Sequence, residues 1–199
     1  MSAGAGDLFG LSLCSGAGGL ELGLHLALPG YRAVGYVERD AYAAAILVAR
    51  MEDAALDCAP VWDDVATFDG RPWRNAVDIV TAGYPCQPFS VAGKRRGADD
   101  PRHLWPHVAR IVGEVEPPFV FLDNVAHHLR LGFPEVARRL VGMGYKVAAS
   151  LFTAQVLVLS TGRVRGDDAS FFVVSIKRAA FFHCNRGRGV TMKFAIFCK

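Results

Sequence analysis

Residues 8–14, LFGLSLC, form an apolar run that stops at Ser15-Gly16-Ala17-Gly18-Gly19. Leu20, Leu24 and Leu28 then recur at helical spacing until Pro29-Gly30 closes the segment. Ala33 to Val37 is a second short apolar stretch, ending at Glu38-Arg39-Asp40, and Asp40 can cap an alanine-rich helix from about Ala41 to Arg50. The pattern predicts strand, glycine turn, helix, strand, acid, helix, which is one half of a doubly wound sheet. Val61-Trp62 reads as a third short strand before Asp63-Asp64, and Ala76 to Thr81 as a buried parallel strand. A long loop follows over residues 83–102, then a helix over 103–115, a strand over 119–122, a helix over 133–142 and a strand over 146–153. Beyond Ala154 the texture changes: QVLVLS and SFFVVSI are strand-like, GRVRGDD between them is turn-like, and the last twenty residues have no clear period.

Composition narrows the class. With 199 residues, 52% hydrophobic and 21% charged, the chain can bury one ordinary core, and wholesale disorder is excluded. No apolar run reaches the ~18 residues of a spanning helix, so a soluble, cytoplasmic protein without a membrane partner is expected. Five scattered cysteines (Cys14, Cys58, Cys86, Cys184, Cys198) form neither a disulfide framework nor a zinc spacing. The net charge of +3 is uneven: residues 155–199 carry eight basic and two acidic side chains, and residues 1–154 carry fourteen and seventeen. The tail therefore supplies all the basicity, which makes overall charge weak evidence for a nucleic-acid partner.

The chemistry sits at the strand ends. The glycine turn at 16–19 suits a ligand's carboxylate or phosphate, with a plain strand–helix turn as the alternative. A dinucleotide fingerprint would need glycine where the chain has Glu21, and a negative charge there argues against a pyrophosphate. Glu38 can accept from ribose hydroxyls or merely cap a helix, and Asp64 can accept from an adenine amino group. A nucleoside ligand with an anionic tail but no pyrophosphate fits S-adenosylmethionine.

The cysteine loop GYPCQPFS follows the fourth strand, with Pro85 and Pro88 restraining the backbone around Cys86 and Gln87. Lys94, Arg95 and Arg96 can favour a thiolate and meet phosphates, although a buried, idle cysteine is the alternative. A thiolate beside a sulfonium methyl donor points to covalent catalysis on an electron-poor ring. Attack at cytosine C6 makes an enamine whose C5 can take a methyl group, and an acid near N3 eases that attack. Asp123, at the end of the next strand, is placed for this role or for a simple loop cap. His103, His107, His127 and His128 read as solvated or phosphate-facing, and no metal site is expected.

The segments LSLCSGAGGLELG, GYVERD, DDV, AGYPCQPFS, GKRRGADDPRHLW and FLDNV together resemble the DNA cytosine-5 methyltransferase family over about residues 10–154. The resemblance implies an α/β, Rossmann-like S-adenosylmethionine-dependent methyltransferase fold, with a largely parallel sheet flanked by helices and an incomplete C-terminal part. It implies a cofactor- and catalysis-bearing domain over 1–154 and a divergent basic tail over 155–199 that completes the sheet edge. Cys14, Ser15, Gly16, Ala17, Gly18, Gly19, Glu38, Arg39, Asp64, Val65, Gly83 and Pro85 would surround the cofactor. Cys86 would be the nucleophile and Asp123 its acid, with Arg163 and Arg165 as candidates for the arginine that reaches the cytosine. Gln87, Ser90, Lys94, Arg95, Arg96 and Arg102 would meet double-stranded DNA, from which such enzymes flip the target base.

Three departures from the family pattern matter. Cys14 replaces a phenylalanine that packs on adenine, which implies weaker cofactor affinity. Asp123 replaces a glutamate and is one methylene short, so a slow or inactive chemical step is expected. Thr161 stands where glutamine is usual, and Gly166-Asp167-Asp168 stands where an apolar strand is expected, with the target-recognition region absent. A monomer is expected, with a restriction endonuclease or a complementing recognition chain as partner. An inactive cofactor-binding remnant, a half-enzyme and an RNA cytosine methyltransferase remain the alternatives.

Overall fold

The computed structural model describes residues 7–85, 104–126, 128, 132–153 and 169–176. One sheet organises them. Its strands are β1 (Leu8–Leu13), β2 (Tyr31–Val37), β3 (Val61–Trp62), β4 (Ile79–Ala82), β5 (Phe119–Val125), β6 (Lys146–Thr153) and β7 (Ala169–Ile176). Their spatial order is β3-β2-β1-β4-β5-β7-β6, with β7 antiparallel to both neighbours and the other pairings parallel. The helices are α1 (Gly19–Ala27), α2 (Ala41–Glu52), α3 (Trp105–Val115) and α4 (Phe133–Gly142).

The local sequence explains most of these elements. Leu11, Leu13, Val80, Ala82, Val120 and Leu122 are buried on one face of the central strands, while Ile79 with Phe119 and Phe121 packs in a separate cluster on the other. On α3, Trp105, Val108, Ala109, Ile111, Val112 and Val115 form one buried stripe at helical spacing. Asp40 caps α2 by accepting from the Ala43 amide at 2.8 Å. Asp78, the lone charge ahead of β4, accepts from the Phe9 amide at 2.9 Å and so helps align β1 with β4.

Two expectations are corrected. The run at Ala76 starts as a turn, and β4 begins only at Ile79. On α1 the buried side chain is Glu21, not a leucine of the Leu20/Leu24/Leu28 stripe. Its Oε1 accepts from the Thr81 hydroxyl of β4 at 2.7 Å, and burial pushes its carboxyl well above the usual range. Glu21 is thus a buried group tied to β4 rather than an exposed acid beside the glycine turn.

The carboxyl-terminal strand is the larger revision. Residues 169–176 lie inside the sheet, between β5 and β6, so the sheet runs across residue 154, where the composition changes. The apolar strand expected at Gly166-Asp167-Asp168 starts at Ala169 instead, and β6 rather than the tail takes the edge.

Candidate active site

Between β1 and β4 the chain changes direction across the sheet, because β2 and β3 lie on one side and β5, β7 and β6 on the other. In doubly wound sheets the crevice at that reversal, outside the strand carboxyl ends, takes the ligand. The first of its walls is the turn after β1. Cys14 has φ 51°, Gly16 φ 54° and Gly18 φ 76°, all left-handed. Gly18 is needed twice over, since a Cβ there would lie 2.5 Å from Leu56 and 2.9 Å from Leu47.

The amides of this turn are largely engaged by the protein. Ser15 N donates to the Val37 carbonyl at 3.1 Å, Gly18 N to the Ser15 carbonyl at 2.9 Å, and Gly16 N to Glu38 Oε2 at 2.7 Å. Arg50 of α2 donates to the Ala17 carbonyl. The expectation that these N–H groups await a ligand anion is therefore corrected for Gly16 and Gly18, which with Ser15 hold the turn together. Glu38 takes a second amide, from Asp40, on Oε1 at 2.7 Å, so one carboxylate ties the end of β2 to the end of β1.

Cys14, Glu38 and Asp64 converge. Burial pushes the Cys14 thiol up to about 12, and the carboxylates of Glu38 and Asp64 add to the effect. Cys14 thus stays a thiol and is a poor nucleophile. Asp64 Oδ1 accepts from the Ala66 amide at 2.8 Å, while Arg110 of α3 donates to the carbonyls of Val65 (3.0 Å) and Phe68 (2.9 Å), which fixes this loop. Val65 is buried in the core, so its side chain packs inward. A Cβ on Gly83 would lie 3.7 Å from the Cys14 carbonyl, which places the end of β4 against the same turn. Gly19, Arg39 and Pro85 are exposed.

On the other side of the crevice, β4 and β5 run in parallel register, with Ala82 opposite Leu122, so Asp123 lies beside the chain leaving β4. Asp123 Oδ1 is buried and accepts no hydrogen bond among the described residues. Burial raises its carboxyl from 3.8 to about 6, opposed by the Asn124 amide. Asn124 Nδ2 donates to the Tyr84 carbonyl at 3.0 Å, which fixes the residue two before Cys86.

Cys86, Gln87, Ser90, Lys94, Arg95, Arg96, Arg102, Arg163 and Arg165 lie outside the described residues, as do His103 and His127. His128 is corrected: it is buried at 4% exposure rather than solvated, with Nε2 at 3.2 Å from the Tyr84 hydroxyl. Thr81, Tyr84 and Asn124 had no role in the sequence reading. Only Asn124 carried a signal, its place after the acid in FLDNV. Among the described residues no three His, Cys, Asp or Glu side chains gather as a metal site, and no helix is long and apolar enough to cross a membrane.

Residues 9–177 match the model of the C-5 cytosine-specific DNA methylases. The chain belongs to that family. Among its curated relatives are the type II methyltransferase M.NgoMIV of Neisseria gonorrhoeae, 36% identical over 115 residues, and M.AquIA of Picosynechococcus, 35% identical over 119. Each alignment covers 58% of this chain, but 35% and 47% of those proteins, so the chain spans less than half of either relative. A putative DNA modification methyltransferase encoded within a prophage of E. coli has a similar structure, with TM-score 0.66 and 25% identity over 86% of this chain and 47% of that one. Dnmt2 of S. pombe shares the fold, with TM-score 0.67 and 19% identity over 88% of this chain and 53% of its own. The methylase-family match thus extends past residue 154, where the sequence resemblance stops, and takes in β7.

Proposed function

We propose that this methylase transfers a methyl group to C5 of cytosine in double-stranded DNA through a covalent adduct on Cys86. S-adenosylmethionine, when bound, supplies the methyl group. The residues present fit it: Glu38 and Asp64 flank Cys14 at the strand ends, and each carboxylate oxygen that accepts an amide keeps a second lone pair for a ribose or adenine donor. The Cys86 sulfur adds to C6, and Asp123 delivers or shares a proton at N3 as negative charge reaches the ring. C5 takes the methyl group, its proton passes to a general base or water, the N3 proton returns to Asp123, and the C6–S bond breaks to free the thiolate. Gln87, Ser90, Lys94, Arg95, Arg96 and Arg102 meet the DNA, and Arg163 or Arg165 reaches the cytosine.

The observation that carries this reading is Asp123. A buried carboxyl oxygen with no hydrogen-bond partner among the described residues is expensive in a stable fold and useful at a ring nitrogen. Its raised affinity for a proton, to about 6, lets it donate near neutral pH. It stands on the strand beside the stem that leads directly into Cys86.

The test is tritiated methyl transfer to cytosine-containing duplex DNA, to RNA and to no acceptor, with Cys86→Ser alongside. Label on DNA alone, abolished by Cys86→Ser, is expected. Label on RNA alone reassigns the substrate, and a trap on 5-fluorocytosine DNA that forms equally well with Cys86→Ser removes the nucleophile assignment.

A further inference from the structure

Tyr84 lies two residues before Cys86 and is buried at 4% exposure. Three separate elements hold it. Its carbonyl accepts from Asn124 at the end of β5, and the Asn124 Oδ1 accepts in turn from the Val125 amide at 2.9 Å. Its ring lies 5.7 Å from that of Trp105, the first residue of α3, at an interplanar angle of 38°. Its other contact is the imidazole of His128, edge-on at 5.7 Å and 78°, with the hydroxyl 3.2 Å from Nε2. Burial pushes the phenol well above its usual range, so it stays protonated and hydrogen-bonds to the imidazole, with donor and acceptor set by the ring's tautomer.

The arrangement does more than fill space. Tyr84 precedes residues 86–103 and Trp105 follows them, so this contact holds both ends of that segment together. The imidazole has a place made for it. A Cβ on Gly132 would overlap the His128 ring, yet Gly132 has an ordinary φ of −107°, so its backbone does not require glycine. The Gly132 amide also donates to the His128 carbonyl at 3.0 Å.

We propose that Tyr84, Trp105 and His128 form a positioning hub that sets how the chain enters the nucleophile segment, with the hydroxyl–imidazole bond fixing its orientation. None of the three is a catalytic residue; they act through Cys86, and the inference rests on the reading of Cys86 as the nucleophile. The asparagine holds the backbone and the histidine holds the ring, so Tyr84 has little freedom to rotate. An error of 1 Å at a nucleophile is costly, because reaction requires near-attack geometry.

The test uses the full chain with Tyr84→Phe, His128→Leu, His128→Gln, Gly132→Ala and the Tyr84→Phe/His128→Leu pair. Three quantities are read: cofactor affinity by calorimetry, the rate of adduct formation on 5-fluorocytosine DNA, and the rate of Cys86 alkylation by iodoacetamide, followed by peptide mass spectrometry. Tyr84→Phe and His128→Leu should each slow adduct formation about tenfold and shift the alkylation rate, with cofactor affinity unchanged within about twofold. The pair should be no slower than either single variant, because both break one bond. His128→Gln keeps an acceptor and should recover most of the rate, and Gly132→Ala should mimic His128→Leu by displacing the ring.

Wild-type rates in Tyr84→Phe, losses that multiply in the pair, or cofactor affinity falling in step with the rate would overturn the hub. If the wild-type chain forms no adduct, the reading of Cys86 fails by itself. Alkylation, which needs no substrate, still decides the hub: unchanged rates across the variants overturn it.

Discussion

The two sides of the crevice treat their acids in opposite ways. On the β1–β2 side, Glu38 accepts two backbone amides and Asp64 one, so these carboxylates are built into the turns they stabilise. On the β4–β5 side, Asp123 has a buried oxygen that accepts no hydrogen bond among the described residues, and its carboxyl titrates near 6. The first arrangement suits a surface that must be fixed before a ligand arrives. The second leaves a carboxyl ready to exchange a proton with something that enters. On the proposed function, binding and chemistry are separated by how each acid is solvated rather than by residue type.

The sharpest way to break this contrast is Asp123→Asn. It should lower methyl transfer by about 10²- to 10⁴-fold while leaving cofactor affinity unchanged, as seen by comparing turnover with calorimetry. Stability should hold or rise, because a neutral amide escapes the burial penalty of the ionised acid. Asp123→Glu, which restores the family's usual length, should raise turnover above wild type; no gain would show that the missing methylene is not what limits the rate.

Stability should report the same carboxyl through pH. Above about 6 Asp123 is ionised in both folded and unfolded chains, and folding bears the full cost of its burial. Between about 6 and 3.8 the folded state keeps a proton that the unfolded chain has lost, so this group's contribution becomes more favourable as pH falls. Urea unfolding of wild type and Asp123→Asn should therefore converge on acidification, by on the order of 2 kcal/mol across that window. Curves that stay parallel would mean that the acid is not held out of water.

The smallest effect is expected at Glu38. Glu38→Gln keeps one acceptor oxygen but sets an amide nitrogen against one of the two donors, at Gly16 or Asp40. It should cost about 1–2 kcal/mol in chemical unfolding and weaken cofactor binding, with little change in the pH response described for Asp123. A large loss of turnover at saturating cofactor would blur the division between the two sides.

The parallel part of the sheet was legible because each of its strands is a short apolar run ended by a glycine turn or an acid. Local patterning carries that information. The place of β7 was not legible in the same way. SFFVVSI reads as a strand, but only pairing with β5, some fifty positions earlier, decides that it enters the sheet between β5 and β6. Glu21 was misread because its charge was inferred from residue type, whereas its position on α1 buries it against Thr81. The Tyr84–His128 contact joins residues 44 apart, and two buried polar groups at that separation leave no periodic trace. Glu38, Asp64 and Asp123 were read as site candidates from their places at strand ends, and the fold sets them there. The tie from Asn124 to Tyr84 became visible only with the fold.

The antiparallel hairpin of β6 and β7 also dictates when the sheet can be finished. Strand β5 meets β7, not β6, so its outer edge has no partner until Ala169–Ile176 has left the ribosome. Through the synthesis of more than forty intervening residues, a seam of unpaired peptide groups stays open next to Asp123. Assembly of the β4–β5 side of the crevice is therefore a late event, while the β1–β2 side needs the chain only as far as Arg110 of α3, which fixes the loop at Asp64.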